Sequence, residues 1–334
     1  MIIPVKTSVG SYDVVLEKGS INRLGEILNL NRKVLIVTDD GVPENYSKTA
    51  AKQCKDSLIV TLPQGETSKS VDNYLYLLNT MVENSFTRSD CVLAVGGGVV
   101  GDLAGFVAST FMRGVDFYNF PTTVLSQVDS SIGGKVAIDF SGYKNIVGAF
   151  YPPKRVVIDV ETLKTLPKRQ ISNGLCESVK MAMTFDKELF SMFENGDFNI
   201  ETVIEKSLKI KRDVVEKDEK ESGIRKVLNF GHTIAHGIES VNNMQNLYHG
   251  ECVALGMLPV CSPKVRERLV KVLKSLNLPT EYSFDTDKVF EAVTHDKKLY
   301  GEMLTVICVE EIGKFVMKQL KVSEFKEEFE RVNR

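Results

Sequence analysis

The chain has 334 residues, enough for two domains of ordinary size, and its 43% hydrophobic and 26% charged residues allow a substantial core. Its 42 basic and 44 acidic residues leave a net charge of −2, so no cationic surplus exists to neutralise a phosphate backbone and nucleic acid is not expected as a partner. No run approaches the ~18 apolar residues of a membrane span, the opening MIIPVKTSVG lacks a signal-peptide layout, and six scattered cysteines with no C-x-x-C pair read as the reduced thiols of a cytoplasmic protein.

Residues 2–8 and 12–17 read as a hairpin around Gly10-Ser11. KVLIVT (33–38), LIVTL (58–62) and CVLAV (91–95) are short apolar runs. Helical stretches follow them: one after the Asp40-Gly41 turn, one from about Ser68 to Asn84, and one after the glycines at 96–98. Further strands are expected near 115–120 and 155–159. Wholly apolar strands spaced by helices predict a mainly parallel sheet covered on both faces. Beyond about residue 160 apolar residues recur at helical spacing, over 168–184, 199–218, 225–241, 250–258 and 264–276. A strand pair (304–309 and 314–317) and a charged amphipathic helix end the chain. The boundary is expected at Leu166-Pro167. This predicts an α/β Rossmann-like domain over 1–166 and a mainly α-helical domain over 167–334.

GGGVVGD (96–102) directly follows CVLAV and precedes a helical run, so Gly96, Gly98 and Gly101 satisfy G-x-G-x-x-G. Glycines there let main-chain N–H groups and a helix N-terminus approach a pyrophosphate, although a tight turn without a ligand uses the same residues. Asp39, ending an earlier strand, suits a ribose hydroxyl or a turn.

Three of the four histidines, His232, His236 and His249, lie within 18 positions. On one continuous helix Arg225, Asn229, His232 and His236 would form a single polar stripe, at spacings of four, three and four. H-x-x-x-H resembles half a zincin, but Thr233 stands where that motif needs a glutamate. A metal site therefore needs a third ligand, His249 or a helical carboxylate. Glu177 and Lys180 sit among Leu175, Val179 and Met183, and Lys211 continues the seam of Ile204, Leu208 and Val215. A lysine buried on such a seam costs several kcal/mol unless an anion meets it. Residues 121–135 and 142–150 read as a polar central loop carrying Thr122, Thr123, Asp129, Lys135, Lys144 and Asn145, with Arg113 nearby. That mixture suits a small oxygenated anion.

Taken together, GETSKS (65–70), GGGVVGDLAGF (96–106), RGV (113–115), PTTVLSQVDSSIGGK (121–135), GYKNIVGAFYPP (142–153), GLCESVK (174–180), DEKESGIRKVLNFGHTIAHGIE (218–239), HGECVALGM (249–257) and DKK (296–298) closely resemble the 3-dehydroquinate synthase family of sugar-phosphate cyclases. The resemblance runs from about residue 34 to 312. It implies conversion of 3-deoxy-D-arabino-heptulosonate 7-phosphate to 3-dehydroquinate and phosphate, a step of the shikimate route to aromatic amino acids. It further implies catalytic NAD+, one divalent metal (zinc or cobalt) and a homodimer. By motif position the metal ligands would be Glu177, His232 and His249, with His236 reassigned to catalysis. Lys135, Lys180, Lys211, Arg225, Asn229, Asp129, Lys144, Asn145, Arg113 and Lys297 match substrate-site positions, Arg113 being expected to reach the partner subunit's site. Asp39, Glu66, Lys69, Gly97, Gly98, Asp102, Thr122, Thr123 and Thr165 match the dinucleotide side, and Lys144 is shared with it. The sequence departs from the family at Gly41, where asparagine is common, and at Cys176, where alanine is common. The loop NNMQNLY is a further place where family members differ. The rival readings are another sugar-phosphate cyclase and a metal-dependent polyol dehydrogenase of related fold.

Overall fold

The computed structural model describes residues 1–241, 247–281, 283, 285–297 and 303–332. The chain divides into two compact units, Met1–Pro167 and Lys168–Arg334.

The first unit is built on strands β1 (Ile2–Thr7), β2 (Gly10–Leu16), β3 (Lys33–Asp39), β4 (Asp56–Leu62), β5 (Cys91–Gly96), β6 (Asp116–Pro121), β7 (Lys135–Phe140), β8 (Tyr143–Phe150) and β9 (Arg155–Ile158). Its helices are α1 (Leu24–Ile27), α2 (Glu44–Ala51), α3 (Val71–Glu83) and α4 (Gly98–Thr110). Seven strands form one sheet in the order β1-β2-β9-β6-β5-β3-β4. Only the β1–β2 hairpin is antiparallel within it. The apolar runs are explained by burial on both faces. Leu35 and Val37 of β3 pack with Leu77, Met81, Leu103 and Val107 on one side. Val34 and Ile36 pack with Leu24, Leu28, Leu93 and Phe120 on the other. Ser70 caps α3 by accepting the N–H of Asn73 at 3.3 Å.

The central stretch is not the polar loop that its composition suggests. Residues Ser126–Ser130 form a π-helical turn, and β7 and β8 form a separate antiparallel hairpin. Main-chain pairing sets this hairpin: β7 buries Val136, Ala137 and Ile138, whereas all of β8 except Ala149 is exposed. Hydropathy alone therefore leaves it invisible.

The second unit is mainly helical: α5 (Lys168–Phe185), α6 (Lys187–Asn195), α7 (Ile200–Lys217), α8 (His232–Val241), α9 (His249–Met257), α10 (Pro263–Ser275), α11 (Thr286–Lys297) and α12 (Val322–Val332), with the hairpin of β10 (Met303–Glu311) and β11 (Lys314–Lys321). The expected helix over 225–241 is broken. Ile224–Asn229 is a 3-10 turn, and Gly231 takes a left-handed φ of +80° before α8 begins at His232. At three residues per turn Arg225 and Asn229 do not share a line, so the four-residue polar stripe does not exist as one helix face. Among the described residues no helix is long and apolar enough to cross a membrane.

A buried carboxylate ties the sheet to its flanking loops. Asp159, fully buried after β9, accepts the N–H groups of Gly19 at 3.0 Å, Ile21 at 3.2 Å and Glu161 at 3.0 Å. Asp159→Ala leaves three donors without their acceptor and should lower unfolding stability by about 2–4 kcal/mol, measured by urea denaturation. Asp159→Asn keeps one acceptor oxygen and should lose less.

Candidate active site

In the first unit the chain runs from β3 outward to β4 and then crosses to β5 on the opposite side of β3. That reversal makes the carboxyl ends of β3 and β5 a topological switch point, where open α/β sheets bind ligands. Asp39 ends β3, while Gly97 caps α4 and Gly98 begins it. Thr122 and Thr123 follow β6, with the Thr122 N–H donating to the Gly96 carbonyl at 2.9 Å. The Thr123 and Ser126 hydroxyls lie 2.8 Å apart.

Lys69 is buried and forms an ion pair with Asp102, in the early turns of α4, at 2.8 Å, and with Glu66 at 3.5 Å. Burial alone would lower its pKa, but these carboxylates and Asp139 outweigh that and raise it. Asp39 Oδ1 accepts the Gly41 N–H at 2.9 Å, so this carboxylate serves its own turn, and burial raises its pKa. Gly41 is covered by the end of another side chain: a Cβ there would lie 2.3 Å from Cδ of Gln64, so asparagine would require that exposed glutamine to swing aside. Thr165 lies after β9, its hydroxyl 3.0 Å from the Tyr46 hydroxyl. Lys135, Lys144 and Asn145 lie exposed on the β7–β8 hairpin, Asn145 in a left-handed conformation with its N–H donating to Asp139 at 2.8 Å. Asp129 sits in the π-helical turn, and Arg113 is exposed after α4.

In the second unit Glu177 from the middle of α5, His232 from the start of α8 and His249 from the start of α9 come together. One potential ligand atom from each lies within 4.8 Å of the others, the one such group of three among the described residues. His249 Nε2 is 3.4 Å and His232 Nε2 is 3.7 Å from Glu177 Oε1. Ligands on a tetrahedral zinc ion lie about 3.3 Å apart, given bonds of about 2.0 Å, so small shifts would close this shell.

Helix crossings make the convergence possible. A Cβ on Gly250 would sit 2.0 Å from the Asn173 carbonyl oxygen, so only glycine lets α9 start this close to α5. The Gly250 N–H also donates to Asn173 Oδ1 at 2.6 Å. His249 therefore lies beside Glu177, one turn further along α5 than Asn173. On the other side of His249, Glu251 accepts the Tyr248 N–H at 2.8 Å and receives a bidentate contact from Arg169, both bonds 2.7 Å.

Both Glu177 oxygens are buried, and neither has a partner in hydrogen-bond geometry. A carboxylate so placed calls for a cation. Lys180, 2% exposed, pairs with Oε2 and leaves Oε1 facing the two imidazoles. Burial alone would raise the Glu177 pKa, but the Lys180 ammonium outweighs it and holds the group well below the usual carboxylate range. Burial, aided by Lys180, pushes His232 down to about 3. Burial would also lower His249, but the neighbouring Glu177 and Glu239 carboxylates push it up to about 10. Each Nδ1 is occupied, His232 with the Phe230 carbonyl at 3.2 Å and His249 with Glu239 at 2.8 Å, so each Nε2 faces the carboxylate. The donor set of one carboxylate and two imidazoles thus fits a divalent ion.

His236, the other half of the H-x-x-x-H pair, is exposed, its ring 5.7 Å from that of His232 and outside the group of three. The seam lysine Lys211 is buried on α7, which the 2.9 Å Ser207–Ser178 hydroxyl bond joins to α5. Arg225 is buried, and Asn229 donates to Glu221 at 2.6 Å. The Lys297 side chain and residues 242–246 of the NNMQNLY loop lie outside the described residues. Sequence reasoning passed over Glu239, whose only signal was an acidic residue two helical turns beyond His232.

Residues 59–173 match the family model described as 3-dehydroquinate synthase N-terminal, and residues 174–299 match that described as 3-dehydroquinate synthase C-terminal. The chain is 39% identical over 329 residues to the 3-dehydroquinate synthase of Campylobacter concisus (strain 13826), covering 94% of each chain. Its fold is similar to a crystal structure of 2-deoxy-scyllo-inosose synthase complexed with carbaglucose-6-phosphate, NAD+ and Co2+ (TM-score 0.89, 23% identity, 99% of this chain and 100% of that one). It is also similar to 2-epi-5-epi-valiolone synthase from Streptomyces hygroscopicus subsp. jinggangensis 5008 with NAD+ and Zn2+ bound (TM-score 0.88, 24% identity, 100% and 99%).

His232→Ala removes one of three donors. Metal analysis after dialysis against trace zinc should fall from about one ion per chain to almost none. Full occupancy in that variant would remove His232 from the ligand set.

Proposed function

The chain belongs to the 3-dehydroquinate synthase family, and from that membership and the geometry of its site we propose that it converts 3-deoxy-D-arabino-heptulosonate 7-phosphate to 3-dehydroquinate and phosphate in the cytoplasm. The observation that carries the reading is the buried Glu177 carboxylate, without a hydrogen-bond partner, facing His232 and His249 beside Lys180.

NAD+ supplies a reversible hydride acceptor, and a divalent ion held by Glu177, His232 and His249 supplies Lewis acidity towards a substrate hydroxyl. The chain's own residues do the rest. The nucleotide side comprises Asp39, the α4 N-terminus at Gly97 and Gly98, the Lys69–Asp102–Glu66 cluster, Thr122, Thr123, Lys144 and Thr165. The α4 N-terminus offers unpaired N–H groups and the positive end of a helix dipole to the pyrophosphate. Lys180, Lys211 and Arg225 bind the anionic groups of the substrate, and their charge favours departure of phosphate. Lys135, Asp129, Asn145, Asn229 and Lys297 orient its hydroxyls and carboxylate. Exposed His236 takes and returns a proton as the hydroxyl is oxidised and the ketone reduced. Ring opening and aldol closure then join two ends of one bound molecule, where high effective molarity replaces a dedicated base for each step.

Incubated with the heptulosonate phosphate, NAD+ and zinc, the chain should release one phosphate per dehydroquinate formed, with no accumulation of NADH. NADH in step with substrate would mark a polyol dehydrogenase, and phosphate without dehydroquinate a different cyclase. Lys180→Ala should lower turnover on the order of 10²-fold or more, with a melting temperature in zinc near that of the unaltered chain. A collapsed melting transition would make the role of Lys180 structural.

We further propose that the chain works as a homodimer in which Arg113 serves the partner's site. In support, Leu75, Tyr76 and Val82 expose 48%, 53% and 66% of their surface along α3, and Met112 is 43% exposed. Met112 and Arg113 also hold left-handed φ angles of 49° and 68°, a strained conformation seldom kept without a role. Arg113→Ala and His232→Ala subunits, each inactive alone, should recover about a quarter of full activity after subunit exchange, because half the dimers are hybrids with one intact site. No recovery would place Arg113 in its own subunit's site.

A further inference from the structure

Glu239 is a buried carboxylate, 6% exposed, two helical turns after His232 on α8. Its Oε1 accepts from His249 Nδ1 at 2.8 Å, and His249 Nε2 faces Glu177 Oε1 at 3.4 Å. The two imidazoles are thus supported differently: His232 rests on a neutral carbonyl, His249 on a full negative charge. We propose that Glu239 is a positioning residue for the metal: it fixes the His249 tautomer with Nε2 towards the ion and supplies the negative charge the buried site lacks.

The charge count gives the physical reason. Glu177 and Lys180 cancel each other, so a divalent ion would add two positive charges to a buried, weakly screened space. The Glu239 carboxylate halves that excess from outside the ligand shell. It also makes the imidazole a better donor by accepting its remaining N–H. Geometry favours the same role. His249 is the first residue of α9, and Glu239 lies near the end of α8, so the hydrogen bond fixes the head of one ligand helix to the helix of the other ligand. The reverse face of that helix start is already held by Glu251 and Arg169.

The inference rests on the metal reading above, and the experiment separates the two. Full-length, metal-free chain is titrated with zinc against a chromogenic chelator, and the cobalt-loaded chain is examined by visible absorption. Glu239→Ala should weaken zinc binding by about 10–100-fold and shift the cobalt bands. Glu239→Gln, which keeps the shape and one acceptor oxygen but not the charge, should fall between it and the unaltered chain. It decides the matter if the alanine variant does not fold. If either folded variant keeps the zinc affinity within twofold and the cobalt spectrum unchanged, while the metal-free chain melts lower, Glu239 only joins two helices and the proposal is overturned. If the unaltered chain binds neither metal, that control alone overturns the metal reading, and this proposal with it.

Discussion

The second unit is organised around one fully buried carboxylate. Glu177 sits in the middle of α5 with neither oxygen in a proper hydrogen bond, a state that protein interiors tolerate only when a cation is at hand. Lys180 answers one oxygen from the next turn of the same helix. The other faces the Nε2 atoms of His232 and His249. Much of the neighbouring packing follows from bringing these side chains to one point: Gly250 without a Cβ against Asn173, Gly231 in a left-handed turn ahead of His232, and a serine pair holding α7 and its buried Lys211 to α5.

The first unit carries a candidate site of a different kind, which the proposed reading gives to an extended anion, the pyrophosphate of NAD+. The reversal of strand order between β3 and β5 opens the sheet's carboxyl edge, and the residues that edge gathers are short: Asp39, Gly97, Gly98, Thr122 and Thr123. Short side chains leave main-chain N–H groups within reach of a phosphate, whereas the long cationic side chain there, Lys69, is tied to Asp102 and Glu66. Lys69 is therefore better placed to brace the start of α4 than to compete with the backbone for a pyrophosphate.

What could be read from the sequence divides along the range of the forces involved. The core strands were legible because burial on both faces leaves an unbroken apolar run, and the glycine turn because close approach excludes every other residue. The β7–β8 hairpin was not, because its strands are held by main-chain bonds and β8 buries almost nothing. The apparent stripe through Arg225, Asn229, His232 and His236 misled because one left-handed glycine resets the helical phase, and Gly231 was the visible warning. Glu177 stood out only as a charge on an apolar seam. That it meets two imidazoles more than 50 positions away is tertiary information, which periodicity does not carry and which only the family resemblance supplied.

The electrostatics of this group separate its two histidines. Its two imidazoles are driven in opposite directions by the same surroundings: burial beside Lys180 pushes His232 down, while two carboxylates push His249 up. The difference follows from what stands behind each ring, a neutral main-chain carbonyl behind His232 and the Glu239 carboxylate behind His249.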